Sequence, residues 1–185
     1  ARLMAADAIP PTVFVWPSCE TRLGGSQFMN SSGTGNYEEM LVKELLPAVE
    51  AKWACGGAGN RVVVGKSSGG FGALTLVMRN PGLFRAAACH CGDMAFDVSQ
   101  RRGFPEALTC WKKYGGPSSF LKALPQLNFD FSVHAGVEVI AMSTCYSPNP
   151  DSDLGCDLPV DPETGLVDEG VFERWLKHDP VQMIQ

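Results

Sequence analysis

At 185 residues and 19.9 kDa the chain has the size of one domain. Apolar residues make up 45% and charged residues 19% of it, enough to bury a core, which excludes a disordered tail. The net charge is -5, from 15 Lys and Arg against 20 Asp and Glu. With no basic cluster, that balance speaks against a phosphate-binding surface and a nucleic-acid partner. No apolar run approaches the roughly 20 residues of a membrane helix.

In chain order, residues 1–9 read as the end of a helix that Pro10 and Pro11 break. The β-branched and aromatic run 12–16, stopped by Pro17, reads as a buried strand. Residues 18–36, rich in Gly, Ser and Asn, read as a long ordered loop. Asn36 opens a helix with Glu39 as a capping-box partner. Tyr37, Leu41, Leu45, Val49 and Trp53 then form one apolar stripe, which Pro47 should kink. The Val-rich, β-branched run at 61–65 predicts a central strand, 71–79 a helix ended by Asn80 and Pro81, and 84–90 a further strand. Strands alternating with helices predict a parallel sheet with crossover helices. Residues 93–130 mix Pro, Gly and aromatics with short helical patches and suit a cap or lid. The repeat of Val133, Val137, Ile140 and Ala141 favours a helix over 132–146. A Pro- and Asp-rich loop at 147–165 and a short helix at 171–177 follow.

The chemistry is carried by Gly65-Lys66-Ser67-Ser68-Gly69, a G-x-S-x-G pattern that directly follows the Val-rich strand and directly precedes a helix. A serine on such a turn is held strained with its hydroxyl exposed, and small flanking residues let strand and helix approach. The Ser68 amide, at a helix N-terminus, can donate to an oxyanion. The same residues imitate the end of a phosphate loop, but that pattern needs Gly at position 60, which is Asn60. Asn60 to Val64 would also have to be a flexible loop rather than strand.

A serine nucleophile needs a base and an orienting acid, in the order Ser, Asp or Glu, His. The histidines are His90, His134 and His178. His90 reads as packing beside the site and His134 as a surface or capping residue. His178 is the candidate base if the triad lies in this chain, with Asp151, Asp153 or Asp157 as its acid, although His178-Asp179-Pro180 also reads as a helix end and turn. The loop 151–157 fails the calcium-binding EF-hand pattern at Gly155. Seven cysteines without a CxxC pair, Cys89-His90-Cys91 being too tight for zinc, read as reduced thiols in a cytoplasmic protein. The N-terminal residues carry no secretory pattern. Both ends read as cuts through a larger sequence.

Three stretches carry a resemblance: Leu23-Gly24-Gly25-Ser26-Gln27-Phe28-Met29-Asn30-Ser31; Tyr37-Glu38-Glu39 with Glu44-Leu45-Leu46-Pro47; and Gly65-Lys66-Ser67-Ser68-Gly69-Gly70-Phe71-Gly72-Ala73. Together they resemble the putative esterase family of α/β-hydrolases, which includes S-formylglutathione hydrolases, enterochelin and feruloyl esterases and the antigen 85 mycolyltransferases. The resemblance covers about residues 11–97. It implies an α/β-hydrolase-like, mostly parallel sheet with flanking helices, in one domain over 1–185 with a cap at 93–165. It also implies a serine carboxylic-ester hydrolase with Ser67 as nucleophile, the Ser68 amide in the oxyanion hole, Gly65 and Gly69 framing the elbow, and no cofactor or metal. The family's Gly-His pair does not occur here, so the chain reads as the middle of an esterase, lacking one oxyanion donor and two triad members. A non-catalytic domain of the same fold and an acyltransferase are the alternatives. The expected partner is a small-molecule ester, with no nucleic acid and no membrane, and a homo-oligomer is left open.

Overall fold

The computed structural model describes residues 2–128 and 130–184. Its centre is a strand–helix–strand unit: β5 (Val62–Lys66), α4 (Ser68–Arg79) and β6 (Ala86–His90). The strands run parallel, in register from Val62↔Ala86 to Lys66↔His90. Two further bonds extend the pairing: Arg85 N–H donates to Arg61 O (2.8 Å) and Ser67 N–H to His90 O (3.0 Å). The β-branched valines suit the extended chain. Arg61, at the entry to β5, clamps Glu50 with two bonds of 2.5 and 2.8 Å. That fork, with the Gly57 amide, pulls the Glu50 carboxyl down to about 2.

The sheet departs from expectation. Among the described residues β5 pairs with β6 alone, and α4 packs on the pair. Val62 is 58% and Val64 71% exposed, so β5 is not the doubly buried central strand its composition predicts. Residues 12–16 are not a strand: Phe14 and Trp16 stack on one another at 5.7 Å and lie exposed. β-Propensity supplies an extended backbone, but a ladder also needs a neighbouring strand in register.

Before this unit come a short helix α1 (Arg2–Ala5) and two minimal antiparallel ladders, β1 (Glu20–Thr21) with β2 (Gly24–Gly25) and β3 (Asn30–Ser31) with β4 (Gly35–Asn36). These lie inside the stretch read as loop. The second ladder presses on α8 (Phe131–Tyr146) so closely that a Cβ at Gly33 would meet Thr144 O at 2.2 Å. Helices α2 (Tyr37–Glu39) and α3 (Leu46–Trp53) are joined by a π-helical segment, Met40–Leu45. The wider turn precedes Pro47, whose ring and missing N–H an α-helical interior does not accommodate. The expected capping box does not form: Asn36 makes no side-chain cap bond, and the Glu39 N–H donates instead to Asn30 Oδ1 (3.1 Å).

The second half is more helical than its composition suggests: α5 (Phe96–Ser99), α6 (Phe104–Lys113), α7 (Pro117–Ala123), α8, α9 (Glu169–Leu176) and α10 (Pro180–Met183). Helix α8, apolar nearly all round, packs on α6. Trp111 Nε1–H donates to Gly136 O (3.0 Å), across a contact so tight that a Cβ at Gly136 would lie 2.9 Å from Cys110 Sγ. Trp111, Phe120, Ile140, Phe172 and Trp175 form the core there. Asp179, fully buried, binds the parts together: its carboxylate accepts from the amides of Ala95 (3.0 Å), Phe96 (2.7 Å) and Val181 (3.0 Å), capping α5 and α10. No helix among the described residues is long and apolar enough to cross a membrane.

Candidate active site

Ser67 occupies the single residue between β5 and α4, at φ 54° and ψ -125°. For a residue with a Cβ this backbone conformation costs on the order of 1–3 kcal/mol. It is held from both sides, by the Ser67 N–H bond to His90 O and by Phe71 N–H donating to Ser67 O (3.0 Å). The residue is exposed. Ser68 begins α4, so its amide is one of the four that have no acceptor within the helix.

The glycines of the motif are not equivalent. A Cβ at Gly65 would lie 1.9 Å from Gly69 O, so the close approach of strand and helix requires glycine there. A Cβ at Gly69 would meet nothing within 4 Å. The steric need expected of Gly69 falls on Gly70 and Gly72, whose Cβ atoms would strike Gly92 at 2.8 Å and Phe28 at 2.5 Å.

Ser67 and Ser68 open onto a cavity of about 590 Å³. One wall is the hairpin at Gly24 and Gly25 with Gln27; another is the face of α8 carrying His134 and Glu138; Asp93, just past β6, also lines it. Burial raises the carboxyls of Asp93 and Glu138; at Glu138 the neighbouring His134 opposes the rise and the Asp93 charge adds to it. His134 Nε2 lies 3.9 Å from Glu138 Oε2, one helical turn away.

Of the three histidines, His134 is the one that lines this cavity. His178 lies elsewhere: its Nδ1 accepts from the Arg79 guanidinium (3.2 Å) and its ring stacks on Tyr146 at 5.4 Å. Burial, then Arg79 and Lys177, depress it to about 4. The structure thus does not bring His178 to Ser67, and the acids suggested for it line the cavity no better. Asp157 is engaged by Asn149 (2.7 Å) and by Arg174, while Asp151 and Asp153 are exposed on their loop. Sequence reasoning set His134 aside as a surface or capping residue and gave no role to Asp93, Glu138 or Gln27. The one signal that pointed to His134 was chain order, since Ser67, Asp93 and His134 follow one another in the required sequence. No group of three or more metal-ligating side chains occurs among the described residues.

A strand, a serine at positive φ and a helix starting on the next residue form the strand–turn–helix arrangement on which α/β-hydrolases carry a nucleophile. A family model described as Putative esterase matches residues 21–136, more than half of the chain, and the chain belongs to that family. The match takes in the second small ladder and all of the first but Glu20, the Ser67 turn and the first residues of α8. Membership implies an α/β-hydrolase-like fold and a hydrolase of esters. Comparison with curated proteins gives no match.

Proposed function

We propose that the chain is a serine carboxylic-ester hydrolase that works through an acyl-enzyme on Ser67. The observation that carries this reading is the left-handed backbone of Ser67 at the strand–helix junction, above a cavity large enough for a small ester. Ser67 Oγ attacks the carbonyl carbon as its proton passes to a base, for which His134 is the imidazole that the cavity supplies. The carbonyl oxygen becomes an oxyanion facing the Ser68 amide at the positive end of α4. The C–O bond to the alcohol then breaks, the alcohol leaves with a proton, and water releases the acid from Ser67. All seven cysteines are free thiols, which supports a reducing, cytoplasmic setting.

A fluorophosphonate probe tests the reading: the adduct is expected on Ser67 and is lost in Ser67→Ala. Hydrolysis of p-nitrophenyl acetate should fall in that variant by on the order of 10³ or more. Labelling at another residue, or equal hydrolysis by both proteins, rules the reading out in favour of a non-catalytic domain.

A further inference from the structure

The chain that leaves β6 is bent twice out of ordinary backbone. Cys91 and Ala95 have φ 49° and 52°. Neither is glycine, so both conformations persist only where the surroundings hold them. Between them, Gly92 presses on the first turn of α4: a Cβ there would lie 2.6 Å from Gly70 C and 2.7 Å from Phe71 N. At the near end of this connection, His90 O accepts the Ser67 N–H (3.0 Å). At its far end, the amides of Ala95 (3.0 Å) and Phe96 (2.7 Å) donate to the Asp179 carboxylate. The Phe96 ring then lies 6.0 Å from the ring of Phe71, whose N–H donates to Ser67 O (3.0 Å). Both backbone bonds that hold Ser67 are thus one step from groups that Asp179 restrains. Asp179 is itself fixed. It is 1% exposed, and the His178 ring before it is held by Arg79 at the other end of α4 (3.2 Å) and stacked on Tyr146. An ionised acceptor shielded from water makes strong bonds to amides.

We propose that Asp179 is a positioning residue for the Ser67 turn. Its carboxylate holds the 91–95 connection in its strained form, which keeps His90 O and the Gly92 backbone set against Ser67 and the first turn of α4. It touches no substrate and acts through Ala95 and Phe96. This rests on Ser67 as the nucleophile.

The test is the rate at which a fluorophosphonate labels Ser67, read by mass spectrometry on folded protein well below the Tm of each variant. Asp179→Asn keeps one acceptor oxygen, so it should stay folded while labelling slows at least about tenfold, because the turn is displaced. Val160→Ala is the comparison. Val160 is buried at its bridge to Val167 and makes none of these contacts; its loss lowers Tm but should leave labelling within about twofold of wild type. Ala95→Val loosens the connection from its other end, since a β-branched residue does not settle at φ 52°. It should slow labelling as Asp179→Asn does, and it decides the matter if Asp179→Asn does not fold. Glycine adopts that φ freely, so Ala95→Gly placed in Asp179→Asn should speed labelling again by about threefold or more. Wild-type rates in Asp179→Asn or in Ala95→Val overturn the inference. So does a slowing that Val160→Ala matches, or one that Ala95→Gly does not relieve, since Asp179 would then serve stability only. If wild-type Ser67 is not labelled at all, the hydrolase reading itself has failed and the inference falls with it; a labelled wild type with undisturbed variants removes the inference alone.

Discussion

Adding one methyl group at Gly65 probes the turn most directly. Its Cβ would sit 1.9 Å from Gly69 O and 2.1 Å from Gly69 C, against about 3.3 Å for a close carbon–oxygen contact. Both opposing atoms are backbone, so no side chain can rotate away, and β5 and α4 must part by more than about 1 Å. Overpacking costs about 1–3 kcal/mol, and a backbone-on-backbone clash belongs at the upper end. For a chain of this length about 3 kcal/mol lowers Tm by about 6–12 °C. Gly69→Ala is the internal control, four residues along. Its Cβ meets nothing within 4 Å, and it lies in α4, where alanine is favoured over glycine by about 0.5–1 kcal/mol. Its Tm should rise by about 1–4 °C. Calorimetric melts of the two variants beside the wild type give the comparison, and fluorophosphonate labelling should be at least about tenfold slower in Gly65→Ala because Ser67 is displaced. Equal Tm shifts in the two variants, or a Gly65→Ala melt within about 1 °C of wild type, would refute the steric account.

Ser67→Gly should lose labelling yet stabilise the fold by about 1 kcal/mol net, as relief of the left-handed strain outweighs glycine's extra freedom in the unfolded chain; an unmoved urea midpoint would argue against strain. His178 makes stability pH-dependent. Folded, it stays neutral down to about 4, whereas unfolded it takes a proton near 6.5. The unfolded state therefore binds more protons between those values, so stability is lost as pH falls through that window, by up to about 3 kcal/mol. His178→Gln should lose less between pH 7 and 5 in urea titrations, and parallel losses would exclude the effect. Asp179→Ala removes the acceptor of three buried or part-buried amides and should cost about 3–5 kcal/mol, with Asp179→Asn costing less because one oxygen remains; a loss below about 1 kcal/mol in urea would show that those amides find other partners.

Local signals read correctly wherever the structure they encode closes on itself. Helices α4 and α8 lie close to where their apolar spacing put them, because each backbone bond reaches only four residues. The strand–serine–helix junction was legible for the same reason, since its geometry is set within a dozen residues. Signals that needed a distant partner misled. The 12–16 run has the residues of a strand and no ladder, and Asn36 has the residues of a cap while Asn30, from β3, does the capping.

By itself, the sequence determined the family, the position of the serine turn and the helices on either side of the cavity. Only the tertiary structure decided which glycine the turn requires, that His178 goes to Arg79 and Tyr146, and that Gln27, Asp93 and Glu138 face one cavity with Ser67. The physical reason is range: a turn or a helix is settled by neighbouring dihedrals, whereas a cavity is the gap left when segments far apart in the chain pack around different parts of the core.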